Sequence, residues 1–167
     1  MEFDITVDLY REPEGCDIDE LERLAIATLA AEGAPQGTAV AITVLDDDWM
    51  QDLNRHYRGL DAPTDVLAFA LYEGEPLVSA PGVPPVLGDV VISIDTAQRQ
   101  AQALGHGLAA ELALLTIHGC LHLLGYDHDE PEAQERMWAR QAAILAACGY
   151  PDVGRDRPEM CEQADDA

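Results

Sequence analysis

Three histidines in the run His118-Gly119-Cys120-Leu121-His122-Leu123-Leu124-Gly125-Tyr126-Asp127-His128 have the type and spacing to hold a metal ion. On a helix, residues four apart are neighbours on one face, so the imidazoles of His118 and His122 project one turn apart. Gly125 ends such a helix and lets the chain turn, which swings His128 back toward the pair. Three neutral imidazoles around one point leave a fourth position open, the arrangement of a catalytic rather than a structural zinc. The bland alternative is a set of satisfied histidines in a helix and its C-terminal turn. The spacing H-x3-H-x2-G-x2-H is also that of the long zinc-protease signature, where the residue after the first His is a Glu that activates water. Here that residue is Gly119, so the ligand scaffold is present without the protease's general base.

The elements that must position these residues can be read along the chain. Residues 3–9 alternate apolar and polar strictly, as a half-buried strand does. Asp17 is placed to cap a helix with an apolar face of Ile18, Leu21, Leu24, Ala25 and Leu29, ending near Gly33. A second strand covers residues 38–45. Asp46, Asp47 and Asp48 suit the positive start of the next helix, whose buried face is expected to be Trp49, Leu53 and Tyr57. Strands follow at 66–71 and 87–94, separated by a Pro/Gly-rich loop over 73–85. Asp95 or Thr96 is the expected cap of a helix over 97–104. The histidine helix begins near Gly107, and a last helix covers 130–147, with Asp129 as its expected cap and Trp138, Ile144 and Leu145 on its apolar side.

The order of these elements does not alternate regularly, which disfavours a doubly wound parallel sheet. It predicts an α+β domain: a small mixed four-stranded sheet packed with about five helices, the metal site on a helix and its C-terminal turn. One domain is expected over residues 1–150, with 151–167 an acidic, disordered tail. No apolar run reaches the length of a membrane span, and residues 1–4 lack a basic, signal-like start, so a cytoplasmic protein without a membrane role is expected. The cysteines Cys16, Cys120, Cys148 and Cys161 show no C-x-x-C pairing, and Cys120, two residues from each helical His, points off their face. A reducing compartment is the simpler reading.

HGCLHLLGYDH resembles the signature of the YbeY family of metal-dependent endoribonucleases, the rRNA maturation factors. Two other stretches match the same family's pattern in the same order: residues 54–69, Asn54-Arg55-His56-Tyr57-Arg58-Gly59 through Thr64-Asp65-Val66-Leu67-Ala68-Phe69, and Leu87-Gly88-Asp89-Val90-Val91-Ile92-Ser93. The similarity spans roughly residues 3–148. It implies a small mixed sheet with helices, and a metal site set between the histidine helix and the sheet. It also implies one Zn2+ per chain on His118, His122 and His128, and cleavage of single-stranded RNA in rRNA 3′-end maturation and ribosome quality control. The ribosome or a small-subunit protein is the implied partner.

Arg58 is the residue expected to neutralise charge growing on a phosphodiester, because a guanidinium offers a planar, permanently charged fork to phosphate. The resemblance places it at a functional position; with His118 it makes the candidate catalytic pair. The alternative for Arg58 is a surface Arg closing a helix. Asp65 and Asp89 are expected to make structural hydrogen bonds, Asn54 and Thr64 to hold the Arg58 turn, and Asp127 to lie near a ligand imidazole. His56 and His106 read as lone surface histidines.

Net charge is −23, and all nine basic residues are arginines. Nucleic-acid binding draws on cationic contacts, so this balance speaks against a nuclease unless a small basic cleft gathers around Arg55 and Arg58. Two rivals follow: a metallohydrolase of another substrate, and a non-catalytic ribosome-assembly factor whose metal holds the fold.

Overall fold

A computed structural model describes residues 2–10, 16–71, 82–127, 130–151 and 153. The chain runs β1 (Asp4–Leu9), α1 (Ile18–Ala31), β2 (Ala39–Leu45), α2 (Asp47–Arg58), β3 (Val66–Ala70), β4 (Val86–Ser93), α3 (Ile94–Leu104), α4 (Leu108–Leu123) and α5 (Pro131–Ala147). The sheet order is β1-β2-β4-β3; β1, β2 and β4 are parallel and β3 runs antiparallel to β4. This is the α+β domain with a mixed four-stranded sheet that the element order predicts. Most of the loop expected over 73–85, and the tail from residue 154, lie outside the described residues.

Alternate residues of a strand face opposite sides of a sheet, and the two faces here are covered unequally. Val66 and Ala68 of β3, and Val90 and Ile92 of β4, join residues of α1, α4 and α5 in the main core. Leu67 and Val91 face the other way and meet Leu45 and Met50, with Leu53 and Phe69 at the edge of this small second cluster. The helix α4 is enclosed on every side: each residue from Glu111 to Leu121 is buried. An apolar helix of this kind belongs in the centre of a fold, and each large side chain so placed contributes about 1.5–3 kcal/mol. No helix among the described residues is long and apolar enough by itself to cross a membrane.

Gly88 permits the pairing of β3 with β4. Its φ is +142°, and a Cβ there would lie 2.0 Å from the Phe69 carbonyl oxygen. The β2–β4 register also shifts beside it, between Ala39 and Val40. A glycine in a strand often marks such a close approach of backbones.

Four local expectations change. Ile18 is exposed rather than on the buried face of α1, because it is the first helical residue, one turn ahead of Leu21 and outside the core that begins there. On α2 the buried residues are Met50 and Asn54, while Trp49 and Tyr57 are more than half exposed. The helix is turned by one residue, about 100°, because the stripe of Trp49, Leu53 and Tyr57 borders an open groove on the thinly covered sheet face. There Trp49 stacks on Tyr10 and Tyr57 meets Phe69 edge-on. The cap of α3 is Ser93, whose side chain accepts from the Thr96 N–H, so β4 passes directly into the helix. The N-cap residue of α5 is Glu130, and Asp129 lies outside the described residues.

Candidate metal centre

His118 and His122 meet within α4. Their Nε2 atoms are 3.2 Å apart and their rings stand nearly perpendicular, with centroids 4.6 Å apart. His118 is fully buried, whereas His122 is partly exposed, so the pair opens to solvent on the His122 side. Two nitrogens bound at zinc's usual distance on a tetrahedral ion lie about 3.3–3.4 Å apart. The pair therefore holds nearly the separation that one shared ion requires.

The chemistry of the donors fits as well. His118 Nδ1 lies 2.9 Å from Gln141 Oε1 on α5. An amide oxygen only accepts, so the Nδ1 of His118 carries the proton and its Nε2 presents a lone pair. His122 Nε2 faces this lone pair at 3.2 Å, and an ion between the rings would be held by the two Nε2 atoms. The sequence reading did not single out Gln141. Its signal was a polar residue at a core position of an amphipathic helix, on the stripe with Met137, Ile144 and Leu145.

The chain leaves α4 through Gly125, which has φ +104°. Tyr126 then donates its hydroxyl to Glu32 Oε1 at 2.6 Å, and Arg140 Nε donates to Glu32 Oε2 at 2.6 Å. Glu32 thus ties the turn after α4 to the end of α1 and to α5. Burial, followed by the bond to Glu32, pushes the Tyr126 hydroxyl pKa up, so it stays a donor. Beside this turn opens a pocket of about 690 Å³ lined by Glu32, Gly125, Tyr126, Asp127, Glu130 and Arg136. The third expected ligand, His128, follows the anchored Tyr126 by two residues and lies outside the described residues, as does Asp129. Among the described residues alone, no cluster of three metal-binding side chains forms.

Gly119 packs against the sheet: a Cβ there would lie 2.6 Å from Val90 Cγ1 and 3.0 Å from Cγ2. The position that carries the general base in a zinc protease has no room for a side chain here. Cys120 is fully buried, and burial pushes its thiol pKa up to about 12, which keeps it a protonated, small apolar residue.

Arg58 is the last residue of α2. Its Nη1 donates to Asn54 Oδ1 at 3.3 Å, and Asn54 Nδ2 donates to the Ala62 carbonyl at 2.8 Å. Asn54 is buried and holds both Arg58 and the segment beyond it. Asp65 is buried and accepts from its neighbour Val66 N–H at 2.7 Å, a structural bond, and Thr64 beside it is buried. Asp89 is exposed and lines the aromatic groove.

The basic cleft expected around Arg55 and Arg58 is not what Arg55 builds, since it pairs with Asp52 at 2.8 Å and with Asp61 at 3.5 Å. Among the described residues, Arg23, Arg99 and Arg140 are likewise paired with carboxylates. Nor is His106 a lone surface histidine. Its Nε2 lies 2.7 Å from Oε1 of Glu111, a fully buried carboxylate in the first turn of α4.

Comparison with known proteins adds to this geometry. Residues 12–149 match the family described as endoribonuclease YbeY. The chain belongs to the YbeY family. It is 52% identical over 135 residues to the endoribonuclease YbeY of Moorella thermoacetica, covering 79% of this chain and 86% of that protein. It is 44% identical over 150 residues to that of Bacillus licheniformis, covering 88% and 94%. The solution structure of a Thermotoga maritima protein superposes with a TM-score of 0.58 at 24% identity, over 93% of this chain and 99% of that one. That likeness concerns the fold alone. For YbeY the matched span takes in every element from α1 to α5, the histidine pair and Gln141 included.

Proposed function

We propose that this protein is a zinc-dependent endoribonuclease that cuts single-stranded RNA, with one Zn2+ held by His118, His122 and His128. Its relatives of 44% and 52% identity carry the name endoribonuclease YbeY. The observation that carries the metal reading is the His118–His122 pair, set 3.2 Å apart with one ring's proton held on the far side by Gln141. In the cell the reading places the enzyme in the cytoplasm, in rRNA 3′-end maturation and ribosome quality control, with a ribosomal partner.

When bound, zinc supplies Lewis acidity: it polarises a phosphoryl oxygen and acidifies water at its open position. The chain's own residues do the rest. His118 and His122 are carried by α4, which is buried at every residue from Glu111 to Leu121. Tyr126, two residues before His128 in the chain, is pinned by Glu32. Arg58, steadied by Asn54, supplies the guanidinium that pairs with phosphate oxygens as charge grows on them.

The test is metal analysis by mass spectrometry on the purified protein and on His122→Ala, with circular dichroism on both, followed by cleavage of single-stranded RNA. About one zinc per chain is expected, lost in a variant that stays folded and inactive. A wild type purified without metal that gains no cleavage on adding zinc overturns the proposal. The products then separate two routes: a 2′,3′-cyclic phosphate reports attack by the 2′-OH, and a linear end reports attack by water.

A further inference from the structure

We infer that Gln141 is a positioning residue for the metal centre: through its side-chain carbonyl it selects the His118 tautomer and aims the His118 Nε2 lone pair at the ion. The inference rests on the zinc reading above and adds to it a residue from a different helix.

Three observations carry it. Gln141 and His118 are both buried, at 6% and 0% exposure, so water does not compete for the 2.9 Å contact between them. Met137, Ile144 and Leu145 pack α5 into the main core on the same stripe, so the amide is held by an anchored helix rather than by a mobile loop. Finally, His118 has only two ring nitrogens. With Nδ1–H committed to Gln141, the lone pair falls on the nitrogen that faces His122. Without an acceptor at 141 the proton is free to sit on Nε2, the wrong nitrogen for an ion between the two rings. Groups that orient a ligand imidazole in this way are worth about 10–100-fold in metal affinity when removed.

The choice of an amide has a further consequence. A carboxylate at this position would bring a negative charge beside His118 and make its imidazole a stronger donor to the ion. A glutamine orients the ring without that charge. It sets the affinity below the value the same geometry would reach with glutamate.

The experiment measures zinc affinity by competition against a chromophoric chelator for the wild type, Gln141→Leu, Gln141→Glu, His118→Ala and His122→Ala. Circular dichroism is run on each, and the histidine ring nitrogens of the metal-free proteins are followed by 15N NMR. Gln141→Leu is expected to bind zinc about 10–100-fold more weakly and to lose the pure Nδ1–H signature of His118, which a merely structural role would leave in place. Gln141→Glu is expected to keep that signature and to bind at least as tightly as the wild type. Should Gln141→Leu not fold, Gln141→Glu decides alone: zinc binding weaker than the wild type in a folded protein overturns the inference. Wild-type affinity and an unchanged His118 signature in Gln141→Leu overturn it too. In either case a zinc site still lost on His118→Ala and His122→Ala leaves the metal reading standing. A wild type that takes up no zinc overturns the metal reading and this inference with it.

Discussion

Gly119 and Val90 are in direct contact, and a methyl group added to Gly119 would stand 2.6 Å from Val90 Cγ1. The packing that seats α4 on β4 thus leaves no room for a side chain at 119. Gly119→Ala gains about 1 kcal/mol of helix propensity and meets an overpacking cost of about 1–3 kcal/mol. Val90 is fully buried and β-branched, so it cannot swing aside. A net loss of up to about 2 kcal/mol is expected in urea unfolding. In a Val90→Ala background the same substitution is expected to be neutral or stabilising, a coupling that a double-mutant cycle detects. Additive effects would show that Val90 is not what excludes the side chain.

Metal removal tests whether the ion builds the fold or only the site. The core around α4 closes with apolar side chains from the sheet, α1 and α5. Chelation is therefore expected to leave helix content by circular dichroism unchanged while abolishing RNA cleavage. Zinc restored at about 100 times its dissociation constant is expected to add about 2.7 kcal/mol of stability, seen as a higher melting temperature. Loss of helical signal on chelation would instead mark the ion as structural, in the manner of a zinc finger.

The helix and strand positions were readable because their patterns are local: strict alternation in β1, and a Gly-bounded apolar run in α4. The His118–His122 contact was readable for the same reason, since a four-residue spacing needs nothing beyond the helix itself. Gln141 was not, because its role depends on which face of α5 meets α4, 23 residues away in sequence. Trp49 and Tyr57 misled the reading because large aromatic residues suggest a buried face, and only the tertiary arrangement leaves that face of the sheet half covered. Glu111 departs from the usual behaviour of its type. A carboxylate in a first helical turn reads as solvated and favourable with the dipole, yet here it is fully buried against His106.

Arg58 and Asn54 separate catalysis from architecture. Arg58→Ala is expected to keep the wild-type melting temperature and to slow RNA cleavage by about 100–1,000-fold, the loss typical of one charge-stabilising donor. Arg58→Lys restores only part of this, because an ammonium lacks the planar fork. Asn54→Ala removes the 2.8 Å bond to the carbonyl of the exposed Ala62 and is expected to cost about 1 kcal/mol. It should also slow cleavage, because Arg58 loses its tether. Equal destabilisation by both substitutions would make Arg58 a structural residue.

Acid sensitivity should be concentrated at the junction of α1 with the end of α5. Glu20 accepts two bonds from Arg23, at 2.7 and 2.8 Å, and one from the Tyr150 hydroxyl. The Arg23 bonds are the main cause, with Tyr150 adding to them, that its carboxyl pKa falls to about 2. An unfolded Glu titrates near about 4.3. The folded pKa is the lower of the two, so this group's contribution is complete above the unfolded value and is lost as pH falls from about 4 through about 2. Arg23→Gln removes the larger cause and is expected to flatten the fall in urea midpoint over that window, with a smaller stability at neutral pH. Tyr150→Phe should do the same more weakly, at a cost of about 1 kcal/mol near pH 7. Midpoint curves that run parallel to the wild type down to about pH 2 would show that the acid limb belongs to other carboxylates.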